Sequence, residues 1–217
     1  MAISLKSEHI PRATIERLAT YLQVLDSMRK DGLEVISSEP LAKACEVNAS
    51  QVRKDLAYFG EFGVRGVGYY VDFLYEAIKD CLHANREWRA ALIGAGNLGK
   101  ALLNHQEFRR RGLNIIAAFD SDKSKIGSSV YGIEILHPGK LADKVSELGI
   151  ELGIITTPPE FAQSAADMLC EAGVKGILNF SASRIATPKD VITEHVNFFH
   201  QIYSLTFGIT MAENARA

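Results

Sequence analysis

Gly94-Ala95-Gly96-Asn97-Leu98-Gly99 has the spacing of a phosphate-binding loop, following the apolar run Arg89–Ile93 and opening a helical stretch. In that context each glycine has a task. Gly94 permits a tight turn, Gly96 lets a pyrophosphate approach the backbone, and Gly99 lets the helix pack closely on the strand. The N–H groups of Ala95, Asn97 and Leu98 and the positive end of the helix dipole would then face phosphate. Asp120 ends the next apolar run, 21 residues beyond Gly99. A carboxylate there accepts hydrogen bonds from an adenosine ribose and repels a 2′-phosphate, which favours NAD(H) over NADP(H). Lys123 and Lys125 beside it soften that preference.

Three further groups could border the same ligand. Thr156-Thr157-Pro158 and Asn179-Phe180 end later strands, and ligands of such sheets lie beyond the carboxyl ends of strands. Either could instead only begin the next element. His105 falls on the helix after the glycine loop and could point toward the cofactor, although a lone histidine is more often structural.

No catalytic set accompanies these residues. Tyr75 and Lys79 have YxxxK spacing but precede the cofactor stretch, whereas that motif follows it in reductases. Cys45, Cys81 and Cys170 lie far apart without CxxC spacing, and the histidines form no metal-binding pair. Free thiols in a reducing cytoplasm, no metal and no enzyme activity are expected.

A second chemistry sits upstream. On a helix from Ala49, Val52, Leu56 and Phe59 recur at spacings of four and three and would face a core. Ser50, Gln51, Arg53 and Lys54 would remain exposed in the first turns, where a recognition helix meets the DNA major groove. Gln suits adenine, Arg and Lys suit guanine or phosphate, and Ser suits phosphate. Arg65, among Gly60, Gly63, Gly66 and Gly68, sits where a hairpin wing could enter the minor groove. Lys43 and Tyr58 could touch the DNA backbone.

The elements that must position these groups divide near residues 80–88. Before that point the spacing predicts a helix over 10–30 with Ile15, Leu18, Leu22, Leu25 and Met28 on one face. Gly32 stops it. A short helix capped by Ser38 follows, and then a helix opened by Asn48 and Gln51 as a capping box. A glycine-rich hairpin and a helix over 71–83 complete this half. After it, strands over 89–93, 113–119, 132–136, 152–156 and 176–180 alternate with helices over 98–110, 141–148 and 161–172. Such alternation predicts a doubly wound parallel sheet. The tail, 198–209, is apolar on more than one helical side, which requires cover on more than one side and suggests a partner subunit.

The chain has 217 residues, 47% apolar and 23% charged, which excludes a disordered or fibrous protein. Its opening residues hold no apolar run, and no stretch is long enough to cross a membrane, so neither signal peptide nor membrane partner is expected. The formal charge of −2 argues by itself against a nucleic-acid partner, but an average hides local clusters.

The segment VNASQVRKDLAYFGEFGVRGVGY at 47–69, together with GAGNLG, AGVKGILNF at 172–180 and the aromatic tail, resembles the Rex family of bacterial redox-sensing transcriptional repressors. The resemblance spans almost the whole chain. It implies an α/β protein with a winged helix-turn-helix at 1–84, a Rossmann-type NAD(H)-binding domain at 85–196 and a C-terminal helix at 197–217 swapped into the partner of a homodimer. It implies NADH and NAD+ as competing ligands, and release of a palindromic double-stranded DNA operator when NADH binds. Arg17 matches an arginine that pairs with an acid near the C-terminal helix, but Asn197 stands where many members have Asp, and His105 where many have Tyr. The usual ion-pair switch is therefore in doubt, and His105 could make the link sensitive to pH near neutrality. Two rival readings stay open: an NAD-dependent reductase with a helical dimerisation domain, and a constitutive winged-helix protein whose Rossmann-like domain only dimerises.

Overall fold

The computed structural model describes residues 10–215, and the chain divides into two compact units at Arg86/Glu87. In the first unit, α1 (Arg12–Lys30), β1 (Val35–Ile36), α2 (Ser38–Ala44), α3 (Ala49–Ala57), β2 (Tyr69–Tyr70) and α4 (Val71–Cys81) surround one core. Leu18, Leu25, Leu41, Val52, Leu74 and Ile78 are its fully buried centre. The face that α1 buries differs from the expected stripe. Thr14, Leu18, Tyr21 and Leu25 are buried, whereas Ile15 is exposed. The reason is polar, because Thr14 and Tyr21 turn inward to a carboxylate.

That carboxylate is Asp55, on α3 and wholly buried. Its Oδ1 accepts from Thr14 Oγ1 at 3.1 Å, Arg17 Nη2 at 2.7 Å and Gln51 Nε2 at 2.8 Å. Its Oδ2 accepts from Arg17 Nε at 2.6 Å and the Tyr21 hydroxyl at 2.8 Å. Burial pushes the Asp55 carboxyl up, but the bonds from Arg17, Tyr21, Gln51 and Thr14 outweigh it and hold the group below its ordinary range. Burial and the Asp55 bond in turn push the Tyr21 phenol up.

The helix-turn-helix forms with two local differences. The cap of α2 is Ser37, not Ser38, whose hydroxyl instead accepts from Arg53 Nη1 at 2.6 Å. Asn48 caps α3 by accepting from Gln51 N at 2.8 Å, but the Gln51 side chain turns to Asp55 and leaves the capping box half made. The expected hairpin wing is a tight turn closed by a single Val64–Gly68 bridge. Strand β2 after it pairs antiparallel with β1, a two-residue strand too short to show a period.

In the second unit a seven-stranded sheet runs in the order β5 (Ser129–Val130), β6 (Ile133–Leu136), β4 (Leu113–Phe119), β3 (Trp88–Ile93), β7 (Leu152–Ile155), β8 (Gly176–Asn179), β9 (Ile192–His195). All pairs are parallel except β5 with β6. From β6 to β9 the order is that of a classic dinucleotide-binding sheet, with its switch point between β3 and β7. Helices α7 (Leu141–Leu148) and α8 (Ala162–Glu171) cover one face, with Val145, Ala165, Ala166 and Leu169 buried against Ala91, Ile93 and Ile155. The helix expected over 98–110 is broken into α5 (Asn97–Leu103) and α6 (Gln106–Arg110). At the break His105 leaves the helical region, with ψ of 95°.

Helix α9 (Phe198–Asn214) ends this unit, capped by Asn197, which accepts from Phe199 N at 3.0 Å. None of its residues is buried, and Phe198, Phe199, Ile202, Tyr203, Leu205, Phe207, Ile209 and Met211 are all exposed. Among the described residues no helix is long and apolar enough to cross a membrane.

Removing Asp55 leaves the half-buried Arg17 guanidinium unpaired and the buried Thr14 and Tyr21 hydroxyls without their acceptor, so Asp55→Ala is expected to cost about 3–5 kcal/mol in urea unfolding followed by circular dichroism. The folded carboxyl lies below its unfolded value. Its contribution is therefore complete above about pH 4 and is lost as pH falls through the folded-state pKa, so the gap between wild type and variant should close in acid.

Candidate dinucleotide and nucleic-acid sites

The register of the sheet brings the first site together. Ile93 is level with Phe119 on one side and Ile155 on the other, so the glycine loop, Asp120 and Thr156 leave the sheet at one edge. Gly94 N donates to Phe119 O at 2.8 Å and Thr156 N donates to Ile93 O at 2.9 Å. Thr156 Oγ1 donates to Gly94 O at 2.7 Å, clamping the loop from the far side of the switch point.

The glycines are required by space. Gly94 has φ of +102°, and a Cβ on it would lie 2.9 Å from the Thr156–Thr157 peptide. A Cβ on Gly99 would lie 2.1 Å from Gly94 O. Gly96 differs, since a Cβ there would meet nothing within 4 Å and would project into open space.

That space belongs to a cavity of about 710 Å3 lined by Gly94, Gly96, Asp120, Lys125 and Thr156 to Pro158. Ser121, Pro138, Phe161 and Met168 also line it and went unread in the sequence. They lie in loops and helices whose register with the cavity is set by the sheet, which no local spacing reveals. The Thr157 hydroxyl is buried without a hydrogen-bond partner. A glycine backbone open to approach, an apolar flank and an orphaned hydroxyl fit a dinucleotide.

Asp120 is more committed than expected. Its Oδ2 accepts from Ala95 N at 2.8 Å and from Lys125 Nζ at 2.9 Å, and its Oδ1 accepts from Asp122 N at 2.9 Å. Ala95 N is thereby spent on the carboxylate instead of on a phosphate. The capacity left for a ribose hydroxyl is mainly on Oδ1. Asn97 and Leu98 form the first turn of α5.

Asn179, Phe180 and His105 do not line this cavity. Asn179 is fully buried and braces a loop, accepting from Ser181 N at 2.9 Å and donating to Ser183 O at 2.8 Å. Phe180 packs against the core around β3. His105 stacks on Phe108 with ring centroids 4.8 Å apart, in a separate cavity of about 410 Å3 that also holds Tyr131. The expectation that His105 points toward the cofactor is not met at the glycine-loop cavity: His105, at the break between α5 and α6, lines the other one.

The second site is in the first unit. Lys43, Ser50, Arg53, Lys54 and Arg65 are exposed, and Gln51 and Tyr58 are half-buried. Arg53 and Arg65 share a groove of about 530 Å3 with Ser37, Ser38 and the glycine turn, which places two guanidinium groups where α3 meets the wing. Lys43, Ser50, Gln51, Lys54 and Tyr58 lie outside that groove. Arg53 is held by Ser38 and lies 3.6 Å from Glu39. Ser38 was expected only to cap a helix, and no spacing pointed to Ser37 or Glu39. Tyr75 lies under the Arg29 guanidinium, whose central carbon is 4.2 Å from the ring centroid.

Two family descriptions match the chain: a CoA binding domain over residues 85–183 and "Putative DNA-binding protein N-terminus" over residues 9–57. The redox-sensing transcriptional repressor Rex of Solidesulfovibrio magneticus is 56% identical over 95% of this chain and 94% of its own. That of Maridesulfovibrio salexigens is 57% identical over 96% of this chain and 100% of its own. Among solved structures, RSP in complex with β-NAD+ and operator DNA matches at 32% identity with a TM-score of 0.89, covering 97% of each chain. RSP in complex with β-NADH matches at 31% identity with a TM-score of 0.89, covering 97% of this chain and 99% of that one.

The open space at Gly96 separates binding from folding. Gly96→Ala should leave the thermal unfolding midpoint unchanged and weaken NADH binding by about tenfold or more, roughly 1.4 kcal/mol, by isothermal calorimetry. Gly99→Ala, whose methyl group has no room, should lower both.

Proposed function

The chain belongs to the Rex family of redox-sensing transcriptional repressors, and we propose how its residues divide that work. It represses transcription by binding operator DNA, and NADH modulates the grip. The observation that carries this reading is a glycine-rich dinucleotide loop at a sheet's switch point, in one chain with a helix-turn-helix whose exposed first turns are basic.

On the DNA side, α3 enters the major groove with Ser50, Gln51, Arg53 and Lys54, and Arg65 reaches toward the minor groove from the wing. Lys43 and Tyr58 touch the phosphate backbone. On the cofactor side, the backbone of Gly94 to Gly99 faces the pyrophosphate, and Asp120 Oδ1 with Lys125 meets the adenosine ribose. Thr157 offers its free hydroxyl beside Thr156 and Pro158. When bound, the dinucleotide supplies a nicotinamide that is neutral if reduced and cationic if oxidised. The protein distinguishes them without consuming either, because burying an unpaired cation is costly. Thiols are poor candidates for the sensor: burial pushes Cys45 and Cys81 up to about 11, far from the reactive thiolate range.

NADH shifts DNA binding only if it favours one arrangement of the protein over another. The working form is a homodimer in which α9 is swapped into the partner, which would cover a helix apolar on more than one side. Its two α3 helices would read successive major grooves about 34–36 Å apart in a palindrome. Its place of work is the cytoplasm.

A mobility-shift assay on a palindromic AT-rich duplex tests the division of labour. Arg53→Ala should weaken operator binding by more than tenfold and leave NADH binding unchanged. Asp120→Ala should bind operator as wild type does and need more NADH for release. Loss of both activities in either variant would contradict the separate roles.

A further inference from the structure

We infer that Asp55 is a positioning residue for base selection: it locks the side-chain amide of Gln51 so that α3 presents one donor and one acceptor to the major groove. This rests on the DNA-binding reading above and extends it to a residue that never reaches the DNA.

Asp55 follows Gln51 by one helical turn and is wholly buried. Its Oδ1 takes one of the two Gln51 Nε2 hydrogens at 2.8 Å. Arg17, Tyr21 and Thr14 fix the carboxylate itself. With donors on every side the group stays ionised, and an ionised carboxylate only accepts. The Gln51 amide therefore has one allowed orientation, because a flip would set its carbonyl oxygen against the carboxylate.

What remains outward is one N–H and one C=O. Adenine presents an acceptor, N7, and a donor, N6–H, on its major-groove edge, whereas guanine presents two acceptors, N7 and O6. A free glutamine amide can turn both hydrogens toward guanine. One whose second hydrogen is held by Asp55 cannot. The buried carboxylate thus turns an ambiguous reader into one that selects adenine over guanine.

The test uses the full-length protein and a pool of duplexes with both half-sites of a palindrome randomised, sequenced after selection. Wild type should prefer adenine over guanine at one position per half-site by roughly 5- to 150-fold. Gln51→Ala should erase the preference at that position alone. Asp55→Asn, which supplies a donor as well as an acceptor, should shrink it to within about threefold and leave other positions unchanged. A merely structural role would weaken all positions together, and that result would overturn the inference. So would an unchanged adenine preference in Asp55→Asn or Gln51→Ala. If Asp55→Asn does not fold, NMR of the wild-type protein decides. One Gln51 side-chain amide proton, identified by its absence in Gln51→Ala, should exchange slowly if the lock exists and freely if it does not. A wild-type protein that selects no sequence at all would overturn the DNA reading itself.

Discussion

One buried carboxylate holds the reading half of this protein together. Five donors converge on Asp55 from two helices. An uncompensated charge at that depth would be costly, so α1 and α3 have little freedom to slide past each other. The apolar core around Leu18, Leu25 and Val52 supplies the bulk of the stabilisation, but it is not directional. The Asp55 bonds are directional, and they fix how the Gln51 side chain sits on α3.

The sensing half uses the same device. Asp120 is nearly buried and gathers Ala95 N, Lys125 and Asp122 N around itself. It shapes the glycine loop before any ligand arrives. Thr156 clamps that loop from the neighbouring strand, and Gly99 lets α5 approach Gly94 O more closely than any side chain would permit. In both halves an acid at the base of a functional segment organises backbone or side chains that would otherwise be mobile. This is preorganisation, which lowers the ordering cost of binding.

Much of this was legible because sterics dictate it. The glycine spacing, the following helix and Asp120 obey rules of backbone approach, and the alternation after residue 88 obeys the period of strands and helices. Position-specific commitments were not legible. Asp55 carries no spacing signal of its own, since a sequence does not say which charges are buried. A clue was present: Thr14, Arg17 and Tyr21 recur at spacings of three and four, a polar stripe on the face of α1 that packs on α3. The break at His105 left no proline or glycine to mark it, β1 and β5 are too short to show a period, and β9 is mostly exposed with Ile192 as its one apolar residue. The formal charge of −2 likewise averages a basic face on one unit with an acidic remainder.

The central claim is that operator affinity follows the redox state of a bound nicotinamide dinucleotide. The most direct measurement is fluorescence anisotropy of a labelled palindromic duplex, saturated with the protein, at fixed total NAD(H) and increasing NADH fraction. The account predicts that anisotropy falls as the fraction rises, that NAD+ alone leaves the complex intact, and that added NAD+ raises the NADH needed for release. A duplex that stays bound at every NADH fraction, while calorimetry shows NADH occupying the protein, would contradict it.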